Sequence, residues 1–99
     1  MKNKIIDEIK RVLIKLKYYD KDIDVSIAVP KNKDFGDLSS NISFLLSKKL
    51  NIPPNKIAND IKDELDKLDI FDKITIAGQG FLNFNLKANQ INNALNDII

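Results

Sequence analysis

Near the end of the chain, apolar and polar positions alternate with period two in two successive runs, one closing on Ile74-Thr75-Ile76-Ala77 and the other Phe81-Leu82-Asn83-Phe84-Asn85-Leu86. The short link Gly78-Gln79-Gly80 carries two glycines, so the pattern predicts a β-hairpin whose first arm is Phe71 to Ala77. In the second arm Leu82, Phe84 and Leu86 share one face, which leaves Phe81, Asn83 and Asn85 on the other. A ring and two amides off the core face can stack on a nucleic-acid base and hydrogen-bond its edge. The plainer alternative has Phe81 tucked under a helix and both asparagines merely solvated.

Elsewhere the period is helical. Ile5, Ile9, Val12, Leu13 and Leu16 recur at steps of three and four with lysines between them, predicting an amphipathic helix from Met1 to about Lys17 that lies across the sheet. Tyr18 to Asp22 is a charged exit. Ile23, Val25, Ile27 and Val29 then alternate with Asp24, Ser26 and Ala28, as in a half-buried strand that Pro30 ends. After the loop residues 31–36, Gly36-Asp37-Leu38-Ser39-Ser40-Asn41 opens an apolar helix through Ile42, Leu45, Leu46 and Leu50. Asp37 or Ser39 can cap its first turn, and Gly36 lets the chain enter at an unusual angle. Such a helix start can also take a phosphate, but the Gly-Lys-Ser/Thr ending of a nucleotide-binding loop is missing, which rules out an NTPase. Capping and packing are its simpler job.

Asn51-Ile52-Pro53-Pro54 breaks the chain, and a third helix carries Ile57, Ile61, Leu65 and Leu68 on its core stripe. Asp60, Asp63, Glu64 and Asp66 fall toward water. Paired acids suggest a metal or glycosidase-like site, but no second ligand cluster accompanies them, so a solvated face is the reading and no metal ligand is assigned. After the hairpin, Ile91, Leu95 and Ile98 form a short closing helix or the start of a connection. The order α-β-α-α-β-β-α, without repeat or linker, describes a single α+β domain over residues 1–99. Its small, mainly antiparallel sheet is covered on one face by helices.

Composition narrows the chemistry. With 43% apolar and 30% charged residues in 99, the chain has one core and the make-up of a soluble protein. No apolar run approaches the ~18 residues of a membrane span, and the lysine-rich start is unlike a signal peptide. The chain has no cysteine and no histidine. Thiolate and imidazole sites are therefore excluded, general acid-base work falls to carboxylates or lysines, and a reducing cytoplasm is compatible. The net charge of +2 is unevenly spread: seven positive and four negative charges in residues 1–22, five and two in 30–56, three and six in 57–73. Basic segments around a neutral hairpin suit a polyanion. Lysine, isoleucine and asparagine together dominate the chain, as an AT-rich genome also dictates, and lysines on helix faces are commonly just solvated.

Taken together these stretches resemble the N-terminal additional domain of arginyl-tRNA synthetases. That family's pattern has a Gly-Asp-x-Ser-x-Asn helix start, an apolar helix ending in a lysine pair, a proline-led helix containing Ile-Ala, and a closing Ala-Gly-Pro-Gly-Phe-Ile/Leu-Asn-Phe-x-Leu strand. The matching stretches here are Gly36 to Asn41, Lys48-Lys49, Pro54-Asn55-Lys56-Ile57-Ala58 and Ala77 to Leu86, in family order along nearly the whole chain. Gln79 stands where the family usually has proline.

The resemblance implies a domain that contacts the D-loop corner of arginine tRNA through the aromatic of the Gly-Phe pair and the amide two residues later, here Phe81 and Asn83. Gln79 and Asn85 belong beside them in the tRNA-binding set, and Gly36, Asp37, Ser39, Asn41, Gly78 and Gly80 form the structural motif. Partners are then arginine tRNA and the remainder of a synthetase, with a cytoplasmic location and a monomeric isolated domain. No catalytic residue and no cofactor are expected in this chain, since the family's His-Ile-Gly-His-type signature needs histidine. ATP and magnesium belong to the full-length ligase, and the stop at Ile99 favours a piece of that longer enzyme. A protein-docking domain without RNA contact is the alternative, and a stand-alone enzyme ranks third because no nucleophile-base pair is visible.

Overall fold

The computed structural model describes residues 2–31 and 36–87. Its elements are α1 (Lys2–Leu16), β1 (Leu38–Ser40), α2 (Ile42–Leu50), α3 (Pro54–Leu65), β2 (Phe71–Ala77) and β3 (Phe81–Leu86). The strands form one antiparallel sheet in the order β1-β3-β2. Among the described residues this is an α+β fold, with the expected hairpin arms pairing Ala77 with Phe81 and Phe71 with Leu86.

Each periodic stripe finds the core. Leu82, Phe84 and Leu86 of the central strand are buried, as are Leu38 and Ile74 beside them, and α2 and α3 cover that face. Ile57, Ala58, Ile61 and Leu65 place α3 at the middle of the molecule, touching α1, α2, β2 and β3. Burying such side chains contributes roughly 1.5–3 kcal/mol each before entropy is counted. The helix α1 buries Ile5, Ile9, Val12 and Leu13 but packs chiefly against α3 rather than lying across the sheet as its amphipathicity suggested. Side chains above α3 reinforce that choice: Lys15 reaches Glu64 at 2.8 Å, and the Tyr18 hydroxyl donates to Asp60 at 2.7 Å. Half of the acidic face expected to be merely solvated thus ties α1 down.

Two expectations are corrected. Residues 23–29 do not make a strand; Ala28 alone pairs, exchanging 2.8 Å hydrogen bonds with Ser39 in an isolated bridge. The alternation is still visible in burial, with Val25 inside and Asp24 and Ser26 outside, but Val29 is 59% exposed. Ladder hydrogen bonds extend only as far as the neighbouring strand does, and the edge strand here offers three residues before α2 begins.

Gly36 to Asn41 does not open a helix directly. Leu38, Ser39 and Ser40 pair with Phe84, Asn83 and Leu82, and α2 starts at Ile42. Neither Asp37 nor Ser39 caps it. The Asp37 carboxylate instead accepts a 2.9 Å bond from the Leu86 amide, while Ser40 Oγ accepts from Ile42 N at 3.2 Å. Gly36, at φ +94°, passes so close to β3 that a Cβ there would meet the Phe84 carbonyl oxygen at 2.8 Å. The closing helix expected over Ile91, Leu95 and Ile98 lies outside the described residues.

Candidate nucleic-acid interface

The face of the sheet opposite Leu82, Phe84 and Leu86 carries a polar row. Ser39 of β1, Asn83 of β3 and Thr75 of β2 stand side by side across the three strands, with Ala77 beside Phe81 one step toward the hairpin tip. Asn83, in the central strand and flanked by both neighbours, is only 8% exposed although it is off the core face. Expected to point into water, it instead floors a shallow concavity of 320 Å³ that Pro30, Ser39, Ala77, Gly78 and Phe81 line. A carboxamide at the bottom of a cleft offers a donor and an acceptor to whatever enters.

Phe81 is 41% exposed, a large share for a ring in a 99-residue domain. Two contacts hold it in that position. Its ring stacks on Phe44 of α2, with centroids 5.9 Å apart and planes 18° from parallel. Gly80, the residue before it, sits at φ +84° against the start of α3, where a Cβ would meet Pro54 Cβ and the Pro54 carbonyl oxygen at 2.9 Å. The turn is thereby wedged between the hairpin and α3, and glycine is required there both by conformation and by space. One turn beyond Phe44, the Lys48 ammonium lies 4.5 Å from the Phe44 ring centroid, a cation–π distance.

Of the four residues assigned to RNA, Phe81 and Asn83 meet in one concavity. Gln79 is exposed at the tip of the turn, and Asn85 lies a step farther along β3, its Oδ1 near Gly36; neither lines the concavity. Phe44 and Lys48 were missed in the sequence. The only signal was their i, i+4 spacing, because what makes Phe44 matter is a neighbour 37 positions away.

The perturbed titrations lie away from this face. The hydrogen bond from Tyr18 holds Asp60 below the usual carboxylate range, and the same bond raises the Tyr18 phenol. Lys15, then Lys67, pull Glu64 down. These side chains tie α3 to α1 and to the segments that follow each helix. No helix among the described residues is long and apolar enough to cross a membrane.

The comparisons agree with the motif order. A family model described as the arginyl tRNA synthetase N terminal domain matches residues 3–86. Arginine–tRNA ligases are similar in sequence: that of Rickettsia bellii is 43% identical over 74 residues, 75% of this chain, and that of Thermotoga petrophila is 42% identical over 82 residues, 83% of this chain. The chain spans only 13% and 15% of those two proteins. Two arginyl-tRNA synthetases of known structure share the fold over 95% of the chain, that of Plasmodium falciparum with a TM-score of 0.78 at 24% identity and that of Thermus thermophilus with 0.75 at 22%. They contain it as 17% and 15% of their own lengths. Because the family model runs from α1 to the last residue of β3, and takes in Phe81 and Asn83, the chain belongs to the family of arginyl-tRNA synthetase N-terminal domains.

Proposed function

We propose that this domain is the tRNA-binding appendage of an arginine–tRNA ligase and recognises the D-loop corner of arginine tRNA. In this reading Phe81 stacks on an unpaired base and Asn83 reads that base's edge from the floor of the concavity. Gln79 approaches from the turn, and Asn85 lies at the margin. The bond-making belongs to the rest of a cytoplasmic ligase, which joins arginine to its tRNA with ATP and magnesium.

One observation carries the proposal: a half-exposed aromatic ring, held from behind by Phe44, stands over a buried carboxamide in an open concavity. A stacked base contributes roughly 1–3 kcal/mol, enough for recognition within a larger interface. The test is a titration of the 99-residue chain with an arginine-tRNA transcript and, separately, with a generic RNA duplex, following the backbone amides of residues 74–86. Shifts confined to the tRNA titration, lost in Phe81→Ala and weakened in Asn83→Ala, are expected. The absence of shifts near the hairpin, together with concentration-dependent self-association, would point instead to a protein-docking domain.

A further inference from the structure

Phe81 borders a second cavity. Besides the concavity over Asn83, it lines one of 240 Å³ with Ser26, Ser39 and Asn41 among its walls, and the two cavities share Phe81 and Ser39. The second cavity shares Ser26 with an open trough lined by Leu45, Lys48 and Lys49 of α2 and by Asp22 and Asp24.

Two features of this region are unusual. Asn41 occupies the N-cap position of α2 but makes no side-chain cap bond, while its neighbour Ser40 Oγ accepts from the Ile42 amide. Asparagine is favoured at this position for the very bond it does not make. Lys48 and Lys49 also differ from each other. Lys49 is held by Asp20 and Asp22 at 3.6 and 3.7 Å, whereas among the described residues no carboxylate comes within ion-pair distance of Lys48, which rests against Phe44.

Resting on the tRNA reading above, we infer that a second unpaired nucleotide, next to the one stacked over Asn83, occupies this second cavity beside Phe81. Asn41 hydrogen-bonds its base or ribose, and Lys48 meets its phosphate. The Ser26 and Ser39 hydroxyls add donor-acceptor groups of the kind a ribose 2′-hydroxyl can use. Asp24 on the opposite wall of the trough repels phosphate and confines the strand to the α2 side. With Phe44 on one face, the Phe81 ring has one face for a base, and the neighbouring nucleotide is held by polar groups, an arrangement that suits an unstacked loop and not a duplex.

The experiment measures binding of the 99-residue chain to an arginine-tRNA transcript at several salt concentrations, with a melt of each variant. Asn41→Asp keeps the side-chain shape, removes the donor and places a carboxylate at a helix N-terminus. It should melt at or above the wild-type temperature yet bind about tenfold more weakly, as loss of one amide pairing predicts. Asn41→Ser, which keeps capping ability without the amide, should weaken binding in the same direction. Lys48→Gln should reduce the slope of log affinity against log salt by about 0.7. Wild-type affinity in both Asn41 variants, while Phe81→Ala binds more weakly, overturns the second nucleotide and leaves the tRNA reading standing. A wild-type salt slope in Lys48→Gln overturns the phosphate contact. Wild-type affinity in Phe81→Ala overturns both readings together.

Discussion

The Tyr18 hydroxyl donates a 2.7 Å hydrogen bond to Asp60 Oδ2, joining the exit of α1 to the middle of α3 across 42 positions of chain, and Lys56 reaches the same oxygen at 3.0 Å. Tyr18→Phe removes the bond and leaves the ring in place. We expect a loss of about 1 kcal/mol at pH 7 in urea unfolding. Because the folded-state pKa of Asp60 is lowered from 3.8, its contribution is present above that value and is lost as the pH falls through the depressed one. The raised Tyr18 phenol makes the bond fully present below 10.0, and it is lost as the pH rises through the higher folded value. The gap between wild type and variant should therefore be widest near neutrality and close toward both extremes.

The glycines of the hairpin turn should respond unequally. A Cβ on Gly80 meets Pro54 at 2.9 Å, whereas one on Gly78, at φ +55°, meets nothing nearer than Phe81 Cδ2 at 3.8 Å. Gly80→Ala should cost about 3 kcal/mol, through strain and collision together, and Gly78→Ala about 1 kcal/mol. Equal losses in chemical denaturation would show that Pro54 yields freely.

Ser43 lies in the first turn of α2, fully buried, with a hydroxyl that finds no hydrogen-bond partner. Burying an unpaired hydroxyl is unfavourable, so Ser43→Ala should raise stability by about 1 kcal/mol without altering RNA contact. A melting temperature at or below that of wild type would mean that the hydroxyl is satisfied in solution.

Phe44 acts on Phe81 and is itself a positioning residue. Phe44→Leu keeps a half-buried apolar side chain in α2 but removes the stacked ring, so a stability loss below about 1.5 kcal/mol is expected. The ring-proton shifts of Phe81 should move toward values for an unstacked phenylalanine, and tRNA affinity should fall severalfold. Unchanged Phe81 shifts would show that the two rings do not stack in solution.

Much of this was legible because it is local. The spacing of Ile5, Ile9, Val12 and Leu13 and the stripe Ile57, Ile61 and Leu65 each select a helix face without reference to the rest of the chain. The hairpin phase needed only the alternation from Leu82 to Leu86. The same rule misled at Ile23 to Val29, where alternation was present and a partner strand was not. Asp37 misled for a related reason: a carboxylate near a helix start is ordinarily a cap, but here an amide 49 residues away competes for it.

For the candidate interface, the sequence alone determined which side chains leave the core face, since period-two alternation is a property of the strand itself. The tertiary structure decided how exposed each one is. Asn83 is covered because its strand lies between two others, and Phe81 is left out because its strand begins beside α2, with Phe44 against its ring. Exposure depends on what the rest of the chain places alongside a residue, and no local pattern along the strand carries that information.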